Sequence, residues 1–545
     1  MRPKYTLSYI PYGHRALLIN WPAAIAPEIL YDIITLKSLL THEAILERVI
    51  AYHSLTLIFN QPQERFDFWI NYVDEQYLKA LQNSEISTTI HKIPVCYDPE
   101  LAPDLVDLCA DKNMSINEFI EVHSAPEHLV YFIGFQPGFV YMGGLNPKLK
   151  APRKSTPSPF VAQGSVAIGG AQTGIYPADA PGGWHVIGRT YLDLFDPLKS
   201  PACAIKSGDL IKFIPIAREE FEHKQSFYLS SSDPISEFNS KNNPVFKLVK
   251  SGIYSSLQDL GRHGHRALGV VQSGAMDQIS ARFANTLVGN APREAVLEIT
   301  YGGTKLKCLC SCKIALTGAD FSAQLNDLPI DMNRVISLNK GDILALGQRK
   351  TGARTYMGIE HGFDAELVMG SRSFYGPVTG TKRFIDGDLL YRRIDKQDPN
   401  ETSIETLCGP SHPLPETVDF NPAQRLIDFS NSKTFVLQAS PGPEYNTLTD
   451  SVKKFITQEF TIGANDRMGY LLRELIKNDC PAIYSSAVLP GTVQLTPGGQ
   501  VIILTNDGQV TGGYPRILLL SDESLSQLGQ LITGQKIRFD IGSGI

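Results

Sequence analysis

The stretch at 164–190, GSVAIGGAQTGIYPADAPGGWHVIGRT, decides the fold class. Its apolar runs are short and broken by glycine and proline clusters, the rhythm of strands joined by tight turns, with no βαβ alternation. Between 174 and 190, four glycines and two prolines surround Trp184, His185 and Arg189, whereas turning a hairpin takes one Gly or an Asn-Gly pair. The surplus makes Trp184 a candidate wall and Arg189 a candidate clamp for a carboxylate or phosphate. Pairing of Arg189 with Asp193 or Asp196 is the structural alternative.

The same rhythm extends outward over 86–218, where "LVYFIGF", "SVAIGG", "LDLFDP" and "DLIKFIPI" read as strands. Ser115 followed by Glu118 is a capping box that starts a short helix ending near His123. Residues 1–85 change period. "YTLSYI" and "RALLIN" are strand-like, Ile29, Leu30, Ile33, Ile34 and Leu40 have helical spacing, "SLTLIFN" returns to strand, and Phe66, Ile70, Val73, Tyr77 and Leu81 line a second helical face. This β-β-α-β-α order predicts a small ferredoxin-like α/β domain. Residues 219–243 are polar and Ser/Asn-rich and read as a linker. Beyond it short strands resume through 244–395 and 396–545, with one helix at about 276–288 whose apolar face is Met276, Ile279, Phe283, Ala284, Leu287 and Val288. "GSVAIGG", "PGGWHVIG" and "SGDLIKF" are echoed by "GTVQLTPGG", "TGGYPRI" and "TGQKIRF", and "KGDILAL" repeats the last piece, which predicts a barrel unit used more than once.

A chain of 545 residues calls for roughly three or four domains. Its 50 basic and 56 acidic residues are interspersed, which points to neither a nucleic-acid nor a membrane-surface partner. With no secretory core and no long apolar run, a cytoplasmic location is expected. The eight cysteines are sparse, and "CLCSC" at 308–312 reads as a strand with three thiols on one face, not as a zinc site.

The densest polar constellation is SSLQDLGRHGHRALGVVQSGAMDQISARFANTLVGN at 255–290. Gln258, Asp259, Arg262, His263 and His265 occupy a Gly-punctuated loop running into a helix N-terminus near Asp277. "FIGFQPGFVYMGGL" supplies Phe135, Gly138 and Tyr141, either as flat apolar walls or as a barrel corner filled with aromatics. Phosphate-loop, GxGxxG and GxSxG patterns are absent, so no standard nucleotide cradle or serine nucleophile is indicated.

Taken together these motifs resemble a known family. "VYFIGFQPGFVYMGGL", "APRKSTPSP" and the opening stretch resemble the subunit-1 family first named after allophanate hydrolase, associated with the B component of bacterial ATP-dependent 5-oxoprolinase. "SSLQDLGRHGHRALGVVQSGAMD", "ALTGAD", "GSRSF", "NDRMGY" and "TGGYPRI" resemble the subunit-2 family, which supplies the C component. The resemblance implies a mainly β chain and a B-C fusion, with 86–218 as a cyclophilin-like β-barrel and 244–395 and 396–545 as two cyclophilin-like subdomains. It also implies hydrolysis of the 5-oxoproline lactam to glutamate with ATP and Mg2+, a separate A component, and no biotin attachment site in this chain. It carries catalytic roles onto Arg189, His123, Gln258, Asp259, Arg262 and Asp277. Substrate or nucleotide binding falls to Phe135, Gly138, Tyr141, Arg153, Gln172, Trp184, Asp320, Arg372, Asp466, Arg467 and Tyr514, with no metal site assigned. A small-molecule substrate is expected, and a homo-oligomer is left open. The alternatives are a regulatory binding protein of the sporulation-kinase-inhibitor type and a carboxyltransferase acting on a urea-like amide with carboxybiotin.

Overall fold

The structure, a computed structural model, describes residues 4–80, 86–231, 244–379, 383–393 and 434–542. Apolar alternation at the start of the chain builds β1 (Ser8–Tyr12) and β2 (Ala16–Asn20), followed by α1 (Pro27–Leu39), β3 (Ile45–Ile50), β4 (Ser54–Phe59) and α2 (Asp67–Ala80). The antiparallel sheet runs β1-β2-β4-β3. The helices seat Ile29, Leu30, Ile33, Trp69, Val73 and Tyr77 in its core, close to the expected spacing, while Leu81 lies outside the described residues. The expected β-β-α-β-α order gains a strand, β3, "ILERVI". Its signal is blurred because protein covers both faces: Ile45 and Ile50 join the helical core, while Val49, with Tyr12, Ala16 and Ile58, packs on Ala487, Leu489 and Leu519.

The next unit contains β5 (Ile90–Cys96), α3 (Leu105–Asp111), α4 (Ile116–Ser124), β6 (His128–Ile133) and β7 (Val140–Gly143). It continues through β8 (Ser158–Val161), β9 (Ser165–Gly169), β10 (Gln172–Ile175), β11 (Ala180–Gly182), β12 (His185–Arg189) and β13 (Leu210–Ile216). Seven of these strands close a barrel in the order β10-β7-β6-β13-β5-β12-β9, with one parallel pair, β5–β13. The capping box opens α4 as expected, with the Ser115 hydroxyl accepting from the Glu118 N–H and the Glu118 carboxylate accepting from the Ser115 N–H. "LDLFDP" is irregular chain instead of a strand, because Asp196 accepts from the Leu198 N–H and turns the backbone there.

Residues 434–542 close a second seven-stranded barrel. Thr434–Pro441 and Lys536–Ile541 form its parallel pair, and the remaining strands follow in the same circular order as in the first barrel. The echo in the sequence is therefore a repeated topology: β9, β12 and β13 correspond to Thr492–Leu495, Arg516–Leu520 and Lys536–Ile541.

Between the barrels, residues 244–393 form two sheets instead of a third closed ring. β14 (Pro244–Ser251) and β15 (Tyr254–Gln258) belong to different sheets, since Gly252 at φ 73° turns the chain from one to the other. "KGDILAL" lies in the open seven-stranded sheet and closes nothing. The "CLCSC" run is a strand end, a turn and a strand start, so Cys308 and Cys312 face each other with sulfurs 3.9 Å apart and the three thiols do not share one strand face. The segment read as a linker begins as a helix, α5 (Arg218–Ser231), and 232–243 lies outside the described residues. The predicted helix near 276–288 is α6 (Gln278–Leu287), but Ala281, Ala284 and Asn285 form its buried face. Close approach decides this: a Cβ at Gly358 would already crowd the Ala284 carbonyl, so only small residues fit against that strand.

Candidate active site

The loop between β15 and α6 is where all the units meet. The Glu47 carboxylate in β3 accepts from the Gly264 N–H at 2.9 Å and the Arg266 N–H at 3.0 Å. The turn after β6 docks on the same loop, with the Gly138 N–H donating to the Leu268 carbonyl at 2.9 Å. A side chain at Gly269 would overlap the Gln136 carbonyl, so this approach requires glycine. The Phe135 N–H donates to the Thr511 hydroxyl at 2.9 Å, tying the first barrel to the second.

Within that loop Asp259 is an organiser. Its carboxylate accepts from the Gly261 N–H (2.7 Å), the Ser371 hydroxyl (2.7 Å), the Ser373 hydroxyl (2.5 Å) and the Arg372 N–H (2.7 Å), which pins segment 371–375 against the loop. Arg262 then reaches the same segment, its Nη2 donating to the Ser373 carbonyl at 2.6 Å. Gln258 donates through Nε2 to the Ser256 hydroxyl at 3.0 Å and to the neighbouring Phe374 carbonyl at 3.3 Å. Burial pulls the Arg262 guanidinium below its ordinary range, while Asp259, Asp507 and Tyr375 oppose that. Burial and then the Asp507 carboxylate push the Tyr375 hydroxyl up, with Arg262 pulling the other way, so these three groups lie within electrostatic reach.

Beside it lies a buried clasp. Arg467 donates to both Asp507 oxygens at 2.8 and 3.1 Å, to Glu298 at 2.6 Å and to the Gly274 carbonyl at 2.7 Å. Burial works to lower the Arg467 pKa, and the carboxylates of Asp507 and Glu298 outweigh it, leaving it raised. Glu298 also accepts from the Met276 N–H (2.9 Å) and the Tyr356 hydroxyl (2.8 Å). Asp277 caps α6, accepting from the Ser280 N–H at 2.9 Å and from Gln530 Nε2 at 2.8 Å, and burial, opposed by these bonds, raises its carboxyl.

The structure thus brings Gln258, Asp259, Arg262, Asp277, the Arg372 main chain and Arg467 into one neighbourhood, bordered by Phe135 and Gly138. Tyr141 and Trp184 stand apart in an aromatic seam between the first unit and the barrel. Phe132 stacks on Tyr141 at 4.4 Å, Trp184 lies 5.8 Å from Tyr141, and Arg153 sits 5.9 Å over the Trp184 ring. A β-bulge at 130–132 lets Tyr131 and Phe132 both reach that seam. Gln172 is partly buried on β10 opposite Gly169. Tyr514 is exposed near Gln494, and its carbonyl accepts from that side chain.

Four residues lie elsewhere. His123 is buried in the first barrel with both ring nitrogens occupied, by the Tyr97 hydroxyl at 2.8 Å and the Thr173 hydroxyl at 3.1 Å, and stacks on Phe213. Arg189 donates to the Gln163 carbonyl at 2.8 Å; desolvation lowers its pKa and Asp179 opposes that. Asp320 accepts from the Ser322 N–H and pairs with Lys350 at 3.2 Å. Asp466 accepts from the Met468 and Gly469 N–H groups and shapes a turn. Sequence reading missed Glu47, Glu298, Tyr375, Thr511 and Gln530. The signal for two of them was a lone carboxylate in an apolar strand, "ILERVI" and "VLEIT". Among the described residues, no three or more His, Cys, Asp or Glu side chains gather as a metal site.

With that geometry in hand, similarity to known proteins adds the family. The model of carboxyltransferase domain, subdomain A and B, matches residues 268–541, and that of subdomain C and D matches residues 7–205. The B component of 5-oxoprolinase from Bacillus subtilis (strain 168) is 41% identical over 149 residues, 27% of this chain and 62% of that protein. This chain therefore spans less than two thirds of that relative's length. The C component of 5-oxoprolinase from Escherichia coli (strain K12) is 32% identical over 304 residues, 54% of this chain and 90% of that protein. The crystal structure of TTHA0988 has a TM-score of 0.78 and 25% identity, covering 96% of this chain and 99% of that one.

Proposed function

The chain belongs to the carboxyltransferase-domain family, and from that premise we propose that it is a B-C fusion component of ATP-dependent 5-oxoprolinase. It opens 5-oxo-L-proline to L-glutamate together with a separate A component. The observation that carries this reading is the joining, in one chain, of a region similar to the B component and a region similar to the C component, whose contacts converge on the 258–277 loop.

A lactam is a resonance-stabilised amide, so ATP serves to phosphorylate its carbonyl oxygen, releasing ADP; water then adds to that carbon, the ring C–N bond breaks with a proton passing to the nitrogen, and a second water displaces phosphate from the resulting acyl phosphate to leave glutamate. Developing negative charge in such a reaction calls for buried cationic donors. Arg262, whose donor capacity is only partly used inside the protein, fits a carboxylate or phosphate. Mg2+ accompanies the nucleotide, and no protein ligand set is assigned to it. An ATP-consuming reaction of this kind suits a cytoplasmic setting, and no described helix is long and apolar enough to cross a membrane.

The family's name favours a second reading, carboxyl transfer to a urea-like amide from carboxybiotin on another protein. One experiment separates the readings: the purified chain is mixed with an A-type component, ATP, Mg2+ and 5-oxo-L-proline. ATP-dependent glutamate supports the hydrolase. No glutamate, with amide-dependent decarboxylation of carboxybiotin instead, favours transfer. Neither activity, with binding to a histidine kinase, favours the regulatory alternative.

A further inference from the structure

We propose that Arg262 and Gln258 form a two-point reader for a small acid that carries an N–H close to its carboxylate: the guanidinium takes the carboxylate and the Gln258 side-chain oxygen takes the N–H. This rests on the function proposed above and names the part of the substrate that the loop recognises.

The argument starts from unspent hydrogen-bonding capacity. Arg262 is only 2% exposed, yet its Nε and Nη1 have no acceptor among the described residues. A buried guanidinium stays protonated and is costly to leave unpaired. The nearby carboxylates are committed elsewhere. Asp259 is held by two hydroxyls and two main-chain N–H groups, and Asp507 is held from two sides by Arg467. Among the described residues, the positive charge of Arg262 therefore has no contacting counter-ion.

Gln258 is fully buried, and its Oε1 has no donor among the described residues. Its amide orientation is fixed, because Nε2 faces the Phe374 carbonyl, which can only accept. Arg262 binds the Ser373 carbonyl and Gln258 the Phe374 carbonyl, so consecutive peptide units anchor two side chains, one with unused cationic donors and one with an unused neutral acceptor. The main chain there is held firmly, with the Phe374 N–H donating to the Leu257 carbonyl at 2.9 Å.

The pair selects by chemistry. A fully ionised phosphate offers acceptors without an N–H. A neutral urea or simple lactam offers an N–H without a charge. An acid such as 5-oxo-L-proline, whose lactam nitrogen is bonded to the carbon bearing the carboxylate, offers both.

The test is calorimetric titration of the full chain with three ligands: 5-oxo-L-proline, 2-pyrrolidinone, which lacks the carboxylate, and the lactone analogue with ring oxygen in place of N–H. The wild-type protein is expected to bind the first at least about tenfold more tightly than either other. Arg262→Met and Arg262→Lys should erase the preference over 2-pyrrolidinone. Gln258→Leu should erase the preference over the lactone, and melting curves report whether each variant folds. Separate titrations with inorganic phosphate and a non-hydrolysable ATP analogue decide the other source of an anion. Equal wild-type binding of all three ligands, no binding of 5-oxo-L-proline, or an Arg262→Met variant that weakens only phosphate or nucleotide binding overturns the proposal. The two readings fail separately. Ligand preference without turnover sinks the ATP-driven hydrolase, and turnover without ligand preference sinks the two-point reader.

Discussion

Replacing Arg467 with Met tests whether the buried clasp is structural. The side chain makes four hydrogen bonds, three of them to the carboxylates of Asp507 and Glu298. Side-chain exposure is 10% for Arg467, 11% for Asp507 and 0% for Glu298, so solvent cannot replace the lost partner. Breaking a buried pair by removing one member costs about 3–5 kcal/mol, because a charge is left uncompensated. At about 2–4 °C per kcal/mol for a cooperative unit of 150–250 residues, the melting temperature should fall by roughly 6–20 °C. Differential scanning calorimetry measures this directly. Adding Glu298→Gln to Arg467→Met removes one stranded charge and should recover part of the loss, giving a coupling of about 0.5–3 kcal/mol in the double-mutant cycle. An Arg467→Met protein that melts within about 2 °C of wild type but no longer binds ligand would refute the reasoning and return Arg467 to the binding role implied by family resemblance.

Three further outcomes are expected. Burial holds His123 and His128 below their usual pKa, helped at His123 by the His128 ring and opposed at His128 by main-chain hydrogen bonds at His123 and Gly143, so as pH falls below about 6.5 the unfolded chain takes up protons that the native state refuses; stability should drop by about 1.4 kcal/mol per pH unit for each such histidine, and His123→Gln should flatten the acid limb in urea titrations. Gly269→Ala places a side chain at φ 79° against the Gln136 carbonyl and should cost more than about 2 kcal/mol, with hydrogen exchange accelerated at the Gly138 amide; wild-type exchange there would contradict the docking described. Glu47→Ala removes the acceptor for two loop N–H groups and the carboxylate 3.8 Å from Arg266, and should cost about 2–4 kcal/mol and sensitise the 262–266 loop to proteolysis, whereas unchanged protection would count against β3 as its anchor.

Much of the fold was legible because local rules agreed with it. Helical spacing located α1 and α2, the Ser115–Glu118 box opened α4, and the paired Gly-strand pieces pointed to a repeated barrel unit, which closes twice and not in 244–393. The readings that went astray share a cause, which is tertiary cover. β3 carries Glu47 because that residue faces another unit, and the small face of α6 is buried because Gly358 allows a backbone contact. The candidate site was half legible. Gln258, Asp259 and Arg262 stood out as a dense polar run, but their surroundings come from far along the chain: Arg467 is 169 residues from Glu298, and Gln530 is 253 residues from Asp277. No local pattern encodes such pairings.

Among the described residues, four of the five buried arginines show how the structure separates architecture from recognition. Arg516 is matched by Glu444 through two oxygens at 2.6 and 2.9 Å, with Ser486 and Ala487 taking further donors. Arg467 is matched by Asp507 and Glu298, and Arg354 has Glu298 within 3.8 Å and hydrogen bonds to Tyr470 and the Gly529 carbonyl. Each of these guanidiniums has its charge answered inside the fold: Arg467 and Arg354 cross-link the middle unit to the second barrel, and Arg516 braces that barrel internally. Among the described residues, Arg262 alone of the four has no carboxylate in contact and keeps two nitrogens unspent. Removing an architectural arginine should be repaired, in part, by neutralising its carboxylate partner, because the cost is a stranded charge. No such repair exists for Arg262, since what its loss would strand is a ligand outside the chain; its defect should appear in affinity and persist whatever is done to Asp259 or Asp507.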